Sequence, residues 1–190
     1  MKKQFFITAS VILFCASKMP AQQISNGGME NWQNHGVYSL PDSFATMDST
    51  TLVLTGVNIF KSTDAHSGSN AALLETVAST FGFNSPGILS YNWPFIYKPS
   101  KLRFWYKYQQ AGSDTGYANI VIKAGSSDAG VGICYFTSNA NVYTLMEVPI
   151  AYGPPGTPDS IMIEFHSSYG NPIAGTQLYI DDVSLVILMT

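Results

Sequence analysis

Tyr179-Ile180-Asp181-Asp182-Val183-Ser184-Leu185-Val186 sets two adjacent carboxylates inside an apolar β pattern. An acidic pair is poor strand material. Strict alternation gives Tyr179, Asp181, Val183 and Leu185 one face, and Ile180, Asp182, Ser184 and Val186 the other. One carboxylate then points into a packed interior, where an unpaired charge is expensive and wants a cation or several donors. The best partner lies near the other end of the chain, in Ile24-Ser25-Asn26-Gly27-Gly28-Met29-Glu30-Asn31-Trp32. A first and a last strand lying side by side, each bringing an acid, would close one domain.

Between those ends no window sustains a helical period, whereas period-two runs bounded by Gly, Pro, Asn or Ser recur. They predict strands over Leu52–Ser62, Asn70–Val77, Gly87–Phe95, Lys101–Gln110, Tyr117–Ala124, Gly132–Thr137, Tyr143–Ala151, Asp159–Ser167 and Gln177–Ile187, with a short one near Ile24–Met29. Turns fall at Asn84–Gly87, Gly112–Gly116, Ser126–Gly130, Gly153–Gly156 and Tyr169–Pro172. Asn34–Thr51, with Pro41 and few apolar positions, reads as loop. Many short strands with short connections predict an all-β, antiparallel β-sandwich of jelly-roll type. No linker and no repeat divides it.

Met1-Lys2-Lys3, an apolar run from Phe5 to Ala16 and Ser17-Lys18-Met19-Pro20-Ala21 have the pattern of a secretory signal peptide, too short to span a bilayer. The expected layout is a signal over 1–21 and one domain over 22–190, secreted without a lipid anchor, since Phe14 is too bulky for a lipobox around Cys15. Removing Lys2, Lys3 and Lys18 leaves 6 of the 9 basic residues against 12 acidic ones, a formal charge of −6. Nucleic-acid binding needs a basic face, so that class is excluded. Charged residues are 11% of the chain and aromatics 13%, a composition suited to neutral ligands. Cys134 would then be alone, without a disulfide, and with no basic neighbour to activate it. It reads as a small buried hydrophobe.

The two ends and the middle carry a family resemblance: Asn26-Gly27-Gly28-Met29-Glu30 with Trp32 behind, the Asp64-Ala65-His66-Ser67-Gly68-Ser69-Asn70-Ala71-Ala72-Leu73 stretch, and the closing Tyr179-Ile180-Asp181-Asp182-Val183. In that order they resemble carbohydrate-binding modules of the family 4/9 kind and the secreted β-domains of the carbohydrate-metabolism type, with Met29 where Phe is usual. The resemblance implies a galactose-binding-like jelly roll and a polysaccharide or other glycan as ligand. It also implies a structural calcium ion, with carboxylates from Glu30 and Asp181 and carbonyl oxygens from the turn between Ser67 and Asn70. The alternative is that Glu30 and Asp181 accept hydrogen bonds from loop amides.

Alternation also suggests a binding face. In Leu102–Tyr108, Arg103, Trp105 and Lys107 stand opposite Leu102, Phe104, Tyr106 and Tyr108. In Ile161–His166, Met162, Glu164 and His166 stand opposite Ile161, Ile163 and Phe165. Tyr117, Asn119 and Lys123 alternate against Ala118, Ile120 and Ile122. The three strands are thus expected to share an apolar face and a mixed face, on which Trp105 offers a plane for a sugar's C–H face, and Arg103, Asn119, Glu164 and His166 offer hydrogen bonds. The plainer alternative tucks Trp105 under a loop and pairs Glu164 with Arg103 or Lys107. Catalysis has less support. Nothing in the alternation brings two of Glu75, Glu147 and Glu164 together as a glycosidase requires, and His35, His66 and His166 sit in no hydrolase or metal spacing. The expected function is non-catalytic binding of a neutral glycan. The rivals are a structural or adhesion subunit using the same face for a protein partner and, third, a glycan-active enzyme.

Overall fold

The computed structural model describes residues 24–46, 56–153 and 156–187. The expected signal segment, the first residues of the strand expected from Leu52, and the middle of the 153–156 turn lie outside that set. In chain order the strands are β1 (Trp32–Asn34), β2 (Ser39–Pro41), β3 (Ala45–Thr46), β4 (Ile59–Ser62) and β5 (Ala71–Glu75). They continue with β6 (Val77–Ala78), β7 (Asn84–Ser85), β8 (Ile88–Pro94), β9 (Lys101–Gln109) and β10 (Gly116–Ala124). The last are β11 (Ser127–Phe136), β12 (Ala140–Pro149), β13 (Ala151–Tyr152), β14 (Ser160–His166) and β15 (Gln177–Val186).

One sheet runs β13-β11-β10-β14-β8-β3 and the other β12-β9-β15-β5-β4, every pairing antiparallel. The expected all-β antiparallel sandwich is therefore what forms. Its core lies between the sheets. Leu102, Phe104 and Tyr108 of β9 and Leu178 and Ile180 of β15 join one buried cluster with Ala118, Ile120 and Ile122 of β10 and Ile161, Ile163 and Phe165 of β14. Phe104 meets Phe165 edge-to-face with centroids 5.0 Å apart, across the two layers. Truncating such a ring to alanine costs about 3–5 kcal/mol.

Several local expectations are corrected, among them the turns at Ser126–Gly130 and Asn84–Gly87, where β11 begins and β7 lies. Ile24–Met29 forms turns rather than a strand. It still docks on the last strand, with Val183 N–H donating to the Gly27 carbonyl at 2.8 Å. Only glycine fits there, because a Cβ on Gly27 would lie 2.1 Å from the Val183 oxygen. The stretch after Asn34, read as loop, instead folds β1 and β2 into a hairpin and lays β3 against β8. These strands are two or three residues long, too short to show a period.

The acidic strand is more irregular than alternation implies. Leu178 and Ile180 face the core, and so do Val183 and Leu185, so the phase changes between them. The pairing of β15 with β9 shifts register between Asp181 and Ser184, and Asp182 takes φ 49°. This is a β-bulge, in which an extra residue reverses the sidedness of everything after it. Asp181 consequently pairs with Trp105 on the outer side of the sheet.

Candidate functional site

The five residues expected to share a binding face are divided between the two layers. Arg103 and Trp105 lie on β9, on the outer side of the five-stranded sheet, whereas Asn119, Glu164 and His166 lie on β10 and β14, on the outer side of the other. The core separates the two groups. Alternation tells which side of its own strand a residue takes, and says nothing about which sheet the strand joins.

The Trp105 face is covered. The loop between β4 and β5 folds over it, and the His66 ring stacks on the indole at 3.8 Å with 11° between planes. Lys107 lies between the Tyr143 and Tyr179 rings, 5.5 Å and 4.9 Å from their centroids, and is ion-paired to Asp64. Tyr143 donates its hydroxyl to the Asp64 carbonyl at 2.6 Å. Arg103 and Lys101 are engaged with Glu147, at 2.5 Å and 2.6 Å. These contacts lower the Glu147 pKa, the Lys101 bond most. Every polar group just named already has its partner.

The same loop collects the four residues expected to hold calcium, but through its N–H groups. Asp181, fully buried beneath the loop, accepts at Oδ2 from the His66 and Ser67 amides (2.8 and 3.1 Å) and at Oδ1 from the Asp182 amide (2.7 Å). Burial raises its pKa and these N–H bonds oppose the rise. Glu30 accepts at Oε1 from the Ser69 and Asn70 amides (2.8 and 3.2 Å), and at Oε2 from the Asn70 side chain (3.1 Å). Its pKa is lowered, chiefly by the Ser69 amide. Asp182 takes the outer side, bonded to His66 Nδ1 at 2.7 Å and to the Ser67 hydroxyl at 2.8 Å. Calcium wants carboxylate and carbonyl oxygens turned inward. Ser67 and Asn70 turn donors toward the carboxylates, so this arrangement does not fit the ion. A Cβ on Gly68, at φ 64°, would lie 2.0 Å from Glu30 Oε1, which shows how closely the loop grips that carboxylate.

The outer side of the six-stranded sheet is open. Across β11, β10, β14 and β8 the register sets Tyr135, Tyr117, His166 and Ile88 in one row, and Ile133, Asn119, Glu164 and Ser90 in the next. Tyr169, from the loop after β14, leans over the first row with its centroid 5.1 Å from Tyr117 and 5.7 Å from Tyr135. Tyr135 is 46% exposed and Tyr169 55%. His166 stacks on Tyr117 at 4.1 Å, with Nε2 2.9 Å from the tyrosine hydroxyl and 3.7 Å from Glu164. Burial lowers the His166 pKa against the pull of Glu164, and burial and then Glu164 raise that of Tyr117. Both are therefore neutral near pH 7. In the next row Asn119 Oδ1 is shut off from water and receives no hydrogen bond.

Asn119, Glu164 and His166 thus share one face, as their alternation implies, whereas the sequence reading misses the three tyrosines as a group. Tyr117 and Tyr135 are cross-strand partners in the β10–β11 hairpin. Closing that hairpin at Gly125-Ser126 reveals them, whereas a turn at Ser126–Gly130 hides them. Nothing local announces Tyr169.

The glutamates weighed as a glycosidase pair are not brought together. Glu75 and Glu147 belong to β5 and β12 of the other sheet. On the open side Glu164 pairs with Asn119, while Asp128 pairs with Lys123, four residues further along β10. Four residues of strand span about 13 Å, beyond the ~5–9.5 Å between glycosidase carboxylates. Asp128 is also ion-paired to Lys123 at 2.5 Å. Cys134 is partly buried against the core, and burial pushes its thiol up to about 11. Among the described residues no helix is long and apolar enough to cross a membrane.

No family model and no curated protein matches the sequence. Solved structures do match the fold. A Bacteroides thetaiotaomicron protein provisionally named a glycoside hydrolase superposes with a TM-score of 0.71 at 15% identity, over 86% of this chain and 71% of its own. A Bacteroides vulgatus protein of the same provisional name gives 0.68 at 14% identity, over 85% and 97%. A family 16 carbohydrate-binding module gives 0.52 at 15% identity, over 86% and 98%. The chain thus has the jelly-roll fold found in carbohydrate-binding β-sandwich modules, as the motifs at its two ends imply.

Proposed function

We propose that this protein is a secreted, non-catalytic domain that binds a neutral glycan on the outer face of its six-stranded sheet. The observation that carries the reading is the cluster of three tyrosines on this face, with Tyr135 and Tyr169 exposed and Tyr117 half-buried between them and His166. Tyrosine rings offer apolar planes for the C–H faces of a sugar. Glu164, partly exposed beside them, offers carboxylate oxygens to its hydroxyls. Lys123, the cation on the β10 side of this face, is occupied by Asp128, while Glu164 adds negative charge. That balance favours neutral over uronic or sulfated glycans. The jelly-roll neighbours support carbohydrate as the ligand class. The carboxylate spacing favours binding over hydrolysis, although two of those neighbours bear hydrolase names.

The test is calorimetric titration with cello-, xylo-, manno- and galacto-hexaose and with a polygalacturonate of similar length. One stacked ring is worth ~1 kcal/mol, about fivefold in affinity. Tyr135→Ala should therefore weaken the best neutral hexasaccharide about fivefold, whereas Trp105→Ala in a folded protein should leave it unchanged. Binding that survives Tyr135→Ala and Tyr169→Ala together would overturn the reading, as would hydrolysis of the sugar. A flat response to all sugars alongside a tight protein partner would favour the adhesion alternative.

A further inference from the structure

A second buried acid lies at the end of the sandwich from which Tyr169 projects. Asp114 is 3% exposed, and Thr76, Ser167, Ser168 and Thr176 around it are equally enclosed. Its Oδ2 accepts from the Ser168 hydroxyl at 2.5 Å, the Thr176 hydroxyl at 2.7 Å and the Ile173 amide at 3.0 Å. Its Oδ1 accepts from the Thr115 amide at 2.7 Å. One carboxylate oxygen therefore ties down Ser168 and Ile173, the residues that flank Tyr169–Pro172. Ser167, one step earlier, is held separately by Thr76 Oγ1 and by the Gly87 amide, both at 2.8 Å. Thr76 is bonded to Ser168 as well.

The loop closed in this way is short, carries Gly170 at φ 81°, and projects Tyr169 onto the Tyr117 and Tyr135 rings. Free of Asp114, residues 168–173 would keep the outer bond from the Asn84 side chain to the Pro172 carbonyl at 2.9 Å, but lose the common anchor at their base. An isolated surface tyrosine samples several rotamers and backbone positions, and fixing it on binding is a cost borne by the ligand. A loop fixed in advance removes that cost. We infer that Asp114 is a positioning residue, which holds the 168–173 loop so that Tyr169 stands preformed over Tyr117 and Tyr135. The consequence for affinity rests on the glycan-binding reading above, whereas the positioning does not.

Asp114→Asn keeps the shape but puts an NH2 group against N–H or O–H donors on one side. Thr176→Val removes one donor to Asp114, along with the acceptor of the Ala111 amide, and is the second variant should the first fail to fold. Amide hydrogen exchange on the full chain is the first measurement. In either variant the 168–173 amides should exchange at least about tenfold faster, with β9 and β15 unchanged. Exchange in that loop equal to wild type, or acceleration spread evenly over all strands, would overturn the inference. The second measurement is a mutant cycle with Tyr169→Ala, titrating the neutral hexasaccharide that the wild-type chain binds best. Asp114→Asn should weaken binding several-fold when Tyr169 is present and add nothing when it is absent. An equal loss in both backgrounds would mean that Asp114 acts on the whole fold rather than through Tyr169. If no hexasaccharide binds the wild type, the glycan reading falls and the exchange result still decides the role of Asp114.

Discussion

His166 shows how one side chain ties the face to pH. Its ring is nearly buried between Tyr117 and Glu164, and burial pushes its pKa below the ordinary 6.5 while Glu164 pulls the other way. With the folded value below the unfolded one, the unfolded chain binds more protons in the window between them. Stability contributed by the neutral ring is thus present above about pH 6.5 and is lost as pH falls through the folded pKa. Urea melts of wild type and His166→Gln at about pH 7.5 and pH 5 are the check. The wild type should lose more stability between the two, and parallel losses would show that the ring does not titrate in this way. The polar character of this residue is legible in the sequence, because Glu164 and His166 alternate against Ile163 and Phe165. The four hydroxyl and amide donors that surround Asp114 are not. They come from positions 1 to 62 residues away, and the acid itself looks like an ordinary turn residue.

Among elements, the loop over 64–70 decides which face is open. It fixes itself with N–H bonds to Asp181 and Glu30 and places His66 as a lid on Trp105. Asp181→Asn should therefore destabilise the domain, because both of its oxygens face N–H donors and an amide can accept on one side only. The loss should be about 1–3 kcal/mol, read as a lower thermal midpoint. Excess chelator should leave the wild-type midpoint in place. A large fall on chelation, restored by calcium, would show that the loop turns its carbonyls inward around an ion. The motifs at positions 26–30, 64–73 and 179–183 are recognisable in the sequence and do meet in space. What they do to one another is harder to read, since a carboxylate bound by amides and one bound through a metal share the same residue types. The reversal of phase at the Asp181–Asp182 bulge is hidden for a related reason. Alternation assumes an unbroken pleat.

At the scale of the molecule, the period-two runs suffice for a sandwich but cannot assign strands to layers. β9 and β14 present similar patterns and belong to opposite sheets, because membership depends on pairings between distant segments. That order also governs how the chain can be made. β15, the last strand described, lies between β9 and β5 in the middle of the five-stranded sheet. Until residues 177–186 have emerged from the ribosome, β9 and β5 have no common neighbour, and both present unpaired edges able to stick to other chains. Folding cannot proceed steadily from the amino end. It must wait for β15. A chain ended after Thr176 should therefore be unfolded and aggregating rather than a sandwich lacking one strand, as circular dichroism and light scattering would show. The strand that joins the two halves of this sheet is thus the one synthesised after both, so the sheet closes only once residues 177–186 are available.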